Sequence, residues 1–364
     1  MRKRVKAVLV LCALFSSILG ERAWAAEQGF QERPIPMGVS GGNIRDSSRR
    51  YCCSGTLGAL VQDRSGAQYI LSNNHVLART NRAAIGEMII QPGLIDKEPG
   101  CFPDPNDAVA NLSAFTPISF RRTSTNRVDA AIAEVQNGQV DPSGRILNIG
   151  EPSNVTLAPL PGLPVQKMGR TTGLTTGVIT ATNVSLTIKY DRQCGTGMQT
   201  ARFNGQIMIS GQGFSSGGDS GALIVEDCSP HPRAVGLLFG GGSSATIANP
   251  ITDVLSQFSV NMVGRGGYCI SSPGQTGTLP MTMQYGTLLK HVESAGKVKE
   301  RHEDAILKIK DVVGIGVGLS DTASGQVVIE AYVKKPVHSM KKRIPEMLDG
   351  IPVKIVETGE IVAY

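Results

Sequence analysis

Aromatic side chains are scarce in this chain: they make up 5% of 364 residues, with a single tryptophan. Nucleic-acid surfaces interleave aromatic and basic side chains, and no stretch here has that pattern, so no nucleic-acid partner is expected. The formal charge of +6 does not restore the case. Arg2, Lys3, Arg4, Lys6 and Arg22 against Glu21 carry +4 of it, which leaves the remainder near +2. Long apolar runs are also missing. The one candidate, residues 7–19, is shorter than the ~20 residues that span a bilayer. It follows a basic start and precedes Ala23-Trp24-Ala25, the small-residue spacing of an export cleavage site. The reading is a signal peptide over 1–25, cut after Ala25. The product would be secreted or periplasmic, with no stable membrane insertion.

Histidine is rarer still, five in all, so candidates for a catalytic base are few. Past the signal region the chain has six cysteines: Cys52, Cys53, Cys101, Cys194, Cys228 and Cys269. An even count in an exported chain points to disulfides. Their spacings do not match zinc sites. A bridge between the adjacent Cys52 and Cys53 would be strained, so each is expected to have a distant partner. The pairing itself stays open.

Helical periodicity is nearly absent until late in the chain. Residues 26–50 are polar, with Pro34, Pro36, Gly41 and Gly42, and read as a poorly structured lead-in. From 51 to 265, short β-branched runs alternate with Gly, Asn, Asp and Pro, for example 56–61, 69–72, 178–181, 184–188, 206–209, 222–225 and 235–238. Regular short strands of this kind argue for a sandwich or barrel. Residues 249–258 read as one short helix. Residues 266–283 are rich in Gly, Pro, Ser and Thr and read as a linker. Residues 284–364 then carry a helical stretch to about 310 and strand patterns at 312–317, 327–333 and 353–356. They read as a separate small α+β domain with no visible chemistry.

The chemistry lies in three segments. Gly217-Gly218-Asp219-Ser220-Gly221 offers a serine on a turn that glycine permits, with the N–H groups of Gly218 and Ser220 as an oxyanion hole. A serine hydroxyl is weakly nucleophilic and needs a base. Ser72-Asn73-Asn74-His75-Val76 supplies one in His75. Val128-Asp129-Ala130-Ala131 supplies a carboxylate, Asp129, to orient the imidazole. Asp107 and Asp141 compete for that place, but neither opens an apolar run. His231, His291, His302 and His338 read as solvated surface residues. One rival is an α/β-hydrolase, since 218–222 nearly fits its nucleophile elbow. That fold needs long helices between strands and the order serine, acid, histidine. Another is a non-catalytic binding protein on a peptidase fold, although all three polar residues are kept here.

In this order the three segments resemble the chymotrypsin-like serine peptidases, especially their bacterial branch. Lys167-Met168-Gly169-Arg170-Thr171-Thr172-Gly173 is similar to a segment common in those bacterial members. The resemblance spans about residues 50–263. It implies a mainly β fold of two antiparallel six-stranded barrels, with His75 and Asp129 in the first and Ser220 in the second. It implies a serine endopeptidase acting on protein or peptide substrates through an acyl-enzyme, without cofactor or metal. It also implies that Arg170 neutralises Asp219, as that arginine does in several bacterial relatives. The peptide-binding strand would be Phe239-Gly240-Gly241, with the specificity pocket near Phe214. No acid lies there, and two glycines leave room, so small or apolar side chains are expected before the scissile bond. Many relatives have a serine where Phe239 stands, supporting the triad aspartate; here that support must come from elsewhere.

Overall fold

Alternating β-branched residues put one side of each strand into a barrel interior, and most inward positions here are Val, Ile, Leu or Ala. The computed structural model describes residues 29–97, 100–242, 244–267, 269, 285–322 and 325–364. The signal peptide expected at 1–25 and nearly all of the linker expected at 266–283 lie outside them.

The ring of the first sheet is built from β1 (Val39–Asn43), β2 (Gly55–Leu57), β3 (Ala59–Gln62), β4 (Gln68–Ser72), β5 (Met88–Ile90), β6 (Ala108–Phe115) and β7 (Ala131–Val135). Only Gly58 separates β2 from β3, so the two act as one bent strand. Counted so, β1, β2–β3, β4, β7, β6 and β5 close on themselves through antiparallel pairs, and the ring has six members. Its interior holds Leu57, Leu60, Ile70, Val109, Leu112 and Ala133.

The second ring is also six-membered. It runs β8 (Pro164–Gly169), β9 (Gly173–Gln193), β10 (Thr196–Ser210), β13 (Thr246–Pro250), β12 (Ala234–Gly241) and β11 (Leu223–Glu226), and β11 pairs back to β8. This is the mainly β double barrel of the chymotrypsin-like kind that the sequence implied. The helix Ile251–Phe258 follows β13, and β14 (Asn261–Met262) returns to pair with β3 of the first barrel.

Two features differ from the sequence reading. Residues 26–50 are not a loose lead-in where they are described. Ile35, Met37 and Val39 are fully buried in the first core, and β1 is a barrel strand. Glycine and proline between these apolar residues hid their alternation. The other concerns 284–364. Its elements are the helix Tyr285–Leu307, β15 (Val312–Leu319), β16 (Val327–Val333), the helical turn Val337–Met340, β17 (Met347–Leu348), β18 (Ile351–Glu357) and β19 (Val362–Ala363). Leu288, Val292, Ala295 and Val298 bury one face of the long helix at three- and four-residue spacing. These elements share a sheet with the second barrel, because β15 pairs antiparallel with β9, Gly314 opposite Leu186 and Gly318 opposite Ala181. β16 pairs with β15, and β18 runs parallel to β16. β19 returns to the second barrel, where it lies antiparallel to β12 and touches β9.

The expected distant partners of the adjacent cysteines are present: Cys52 bonds Cys101, Cys53 bonds Cys194, and Cys228 bonds Cys269. Cys53–Cys194 ties the first barrel to the β9–β10 hairpin. Among the described residues, no helix is long and apolar enough to cross a membrane.

Candidate active site

β4 ends at Ser72, and the helical turn Asn74–Leu77 that follows carries His75 into the cleft between the barrels. Asn73 fixes this turn by donating from Nδ2 to the Asp129 carbonyl at 2.8 Å. Asp129 precedes β7 and is fully buried. Its Oδ2 lies 2.6 Å from His75 Nδ1, and its Oδ1 accepts from the His75 backbone N–H at 3.3 Å. Its own backbone N–H donates to Asn249 Oδ1 at 2.7 Å.

The support that a serine would give Asp129 comes from Tyr190 instead. Its hydroxyl donates to Asp129 Oδ2 at 2.9 Å. β9 is 21 residues long, and this length brings Tyr190 from the second barrel to the first. The Tyr190 ring lies edge-on to His75 and stacks on Phe203. Burial pushes the Tyr190 phenol well above its ordinary value, and Asp129 adds to that, so it remains a donor. Burial by itself lowers the His75 value. Asp129, by charge and hydrogen bond, and the Tyr364 main-chain oxygen outweigh it, so the net shift is upward.

Ser220 sits on a turn held from both barrels. Its carbonyl accepts from Thr56 N–H at 2.7 Å, and the Gly218 carbonyl accepts from Thr56 Oγ1 at 3.0 Å. Gly218 has φ +98°, the left-handed region that a residue with a Cβ avoids. Ser220 Oγ and His75 Nε2 meet at one atom, the main-chain oxygen of Tyr364, at 2.8 and 2.9 Å. The structure thus brings His75, Asp129 and Ser220 together.

The expected pairing of Arg170 with Asp219 is not what the structure contains. The Arg170 guanidinium forks onto Asp96, Nε to Oδ2 at 2.7 Å and Nη2 to Oδ1 at 2.5 Å. Asp219 is fully buried and is satisfied by compact donors: the N–H groups of Thr171, Thr172 and Ser216 at 2.8, 3.1 and 2.9 Å, and Thr172 Oγ1 at 2.7 Å. The cation beside it is Lys167, fully buried, with Nζ 3.8 Å from Asp219 Oδ2. Burial pushes the Lys167 ammonium down to about 8 against the pull of Asp219. Three backbone N–H groups and a hydroxyl leave the planar guanidinium little to bond, and it reaches out to the partly exposed Asp96.

Phe214 is buried, with Lys167 Nζ 5.7 Å from its ring centroid. The Phe239 side chain points into the core against Phe203, and its carbonyl faces the cleft, accepting from Ser220 Oγ at 3.3 Å. Gly240 and Gly241 continue β12 and pair with β19.

Residues 116–249 match the family model of the Nal1 C-terminal domain. No curated protein matches. Among solved structures, one similar chain is a glutamic acid-specific serine protease, at 20% identity and TM-score 0.43, with 63% of this chain and 100% of that one covered. Thermobifida fusca protease A is 17% identical at TM-score 0.41, covering 64% of this chain and 99% of that chain. Cellulomonas bogoriensis chymotrypsin is 17% identical at TM-score 0.40, with the same two coverages.

Sequence reasoning missed four residues of the site. Lys167 stood in view within the segment that pointed to Arg170. Asn249 is a polar residue directly after the apolar Ile247 and Ala248, which is a weak signal. Tyr190 and Tyr364 carry none, because only the folded chain brings them to the cleft.

Proposed function

We propose that the protein is a serine endopeptidase, with Ser220 as nucleophile, His75 as general base and Asp129 as the group that orients His75. The observation that carries this reading is the convergence of Ser220 Oγ and His75 Nε2 on one main-chain oxygen, with His75 Nδ1 on a buried carboxylate. That is the disposition in which a serine hydroxyl reaches a peptide carbonyl while a base stands ready for its proton.

In the proposed reaction Ser220 Oγ attacks the carbonyl carbon and His75 Nε2 takes the proton. The oxyanion is met by the N–H groups of Gly218 and Ser220. The C–N bond then breaks, and His75 returns the proton to the leaving amine. Water, activated by the same imidazole, hydrolyses the acyl-enzyme and frees Ser220. Asp129 keeps Nδ1 protonated and stabilises the imidazolium, and Tyr190 keeps Asp129 in place. Asp219, its backbone donors and Lys167 hold the turn that presents Ser220, while Arg170 acts on the flanking surface through Asp96. Gly240, Gly241 and the Phe239 carbonyl bind substrate backbone, and Phe214 underlies the pocket for the side chain before the scissile bond. Three disulfides fit an oxidising compartment outside the cytosol.

The test is prolonged treatment of the full chain with excess fluorophosphonate, read by intact mass and by mapping of the modified peptide. One adduct on Ser220, missing from Ser220→Ala, is expected. A folded chain that forms no adduct refutes the peptidase and leaves a peptide-binding module.

A further inference from the structure

The cleft is not empty: the protein's own segment 361–364 lies in it. β19 pairs antiparallel with β12, Ala363 opposite Gly240 and Val362 opposite Gly241. Tyr364 N–H continues the ladder to the Phe239 carbonyl at 3.4 Å. The Tyr364 ring packs on the second-barrel cluster that contains Phe214, Ala222 and Leu238. Its hydroxyl reaches the Gly242 carbonyl at 3.5 Å. The two glycines are what make this fit possible. A Cβ at Gly241 would stand 2.2 Å from the Tyr364 hydroxyl oxygen, and one at Gly240 would stand 2.5 Å from the Val362 carbonyl.

On the other side the segment is tied down. Lys189 N–H donates to the Ile361 carbonyl at 3.1 Å, Ile361 is buried beside Phe239, and Glu360 is gripped by Lys189 and Lys334. The sheet β15–β16–β18 holds the start of the segment, and that sheet is itself hydrogen-bonded to β9.

Resting on the peptidase reading, we propose that residues 361–364 occupy the acyl side of the cleft as a substrate-like ligand in cis. The substrate class is therefore peptides with tyrosine directly before the scissile bond and a small residue before that, and the enzyme is held latent by this segment of its own chain. Val362 and Ala363 supply the backbone ladder, the Tyr364 phenol fills the specificity pocket, and its main-chain oxygen stands between Ser220 Oγ and His75 Nε2, where the leaving amine or the incoming water would stand. The preference differs from the small or apolar one expected from sequence, because the pocket ends at the Gly242 carbonyl, which a phenol can bond. A tethered ligand acts at an effective concentration in the mM range, so a segment that would bind with Kd ~0.1 mM when free slows access about tenfold.

The experiment uses the full chain beside Tyr364→Asp, which puts a charge into the pocket, and Tyr364→Phe, which keeps the ring. Each is assayed for its rate of labelling by fluorophosphonate and for cleavage of acetyl-Ile-Val-Ala-X-p-nitroanilide with X as Tyr, Ala, Glu or Lys. Tyr364→Asp is expected to label at least about tenfold faster than the unchanged chain, and Tyr364→Phe to stay close to it. X as Tyr is expected to be cleaved best, by tenfold or more. Equal labelling of all three chains at a measurable rate overturns the cis-occupancy while leaving the peptidase standing. Cleavage that favours Ala, Glu or Lys overturns the substrate class. No labelling and no cleavage by any of the three removes the peptidase reading, and this inference with it.

Discussion

Replacing Lys167 by methionine tests which cation matters to the serine turn. Lys167 and Asp219 are both fully buried, and methionine keeps the length of the stem while deleting the charge. Removing one partner of a buried pair strands the other, at a cost of about 3–5 kcal/mol. The four hydrogen bonds that Asp219 keeps put the expected loss at the lower end, about 3 kcal/mol. That is a large part of the ~5–15 kcal/mol by which domains are stable. Arg170–Asp96 is a contrasting pair, 17% and 22% exposed in its side chains. Arg170→Met is expected to cost about 1 kcal/mol. Lys167→Met combined with Asp219→Asn removes the stranded charge and is expected to recover most of the loss. The assay is urea unfolding at pH 7 in a Ser220→Ala background, which prevents self-digestion, with the four chains compared at equal m-value. If Lys167→Met costs no more than Arg170→Met, the hydrogen bonds alone hold Asp219 and the argument from the buried cation fails.

Tyr190→Phe keeps the ring against Phe203 and deletes one hydrogen bond to a buried carboxylate, a bond worth about 1.5–3 kcal/mol. Turnover of a tyrosyl substrate is expected to fall roughly 10- to 100-fold, with KM little changed. Its acid limb should also move, because Asp129 then leans harder on His75; an unchanged pH profile and rate would give Tyr190 a packing role alone. Asp46, buried near His75, has its carboxyl raised to about 6, by burial first, with Arg79, His75 and Arg82 opposing. A carboxyl raised on folding binds its proton more tightly in the native state, so stability falls as pH rises from about 4 through 6. Asp46→Asn should therefore gain on the unchanged chain by about 2 kcal/mol between pH 4 and 7, read from urea midpoints, and a constant gap would contradict the shift.

The barrels were legible because period-two alternation and frequent turn residues are local properties. The three residues proposed as a triad stood out because each sits in a short segment of distinctive chemistry, and the structure brings their side chains to one cleft. What escaped depends on length and topology. Tyr190 stands just past the strand pattern at 184–188, among Lys189, Asp191 and Arg192, and its role follows from how far β9 extends past the barrel. Arg170 and Lys167 are three residues apart, and choosing between them requires knowing which side chain is buried. β1 was hidden because Gly and Pro around Ile35 and Met37 look like loop residues until the facing strand is known. The segment 361–364 is a plain apolar tail in sequence, and its meaning comes entirely from the strand beside which it lies.

The shared edge between β9 and β15 also sets an order of events during synthesis. Roughly 130 residues separate Leu186 from Gly314, its partner across that edge, and at ~5–20 residues per second the later strand is made on the order of ten seconds after the earlier one. Throughout that interval the projecting part of β9 offers unpaired backbone along an apolar stretch, the kind of edge to which another chain adds. The last eighty residues therefore act as a late-arriving cover for a hazard created in the middle of the chain. Truncation ahead of residue 312 is then as much a threat to solubility as to the cleft.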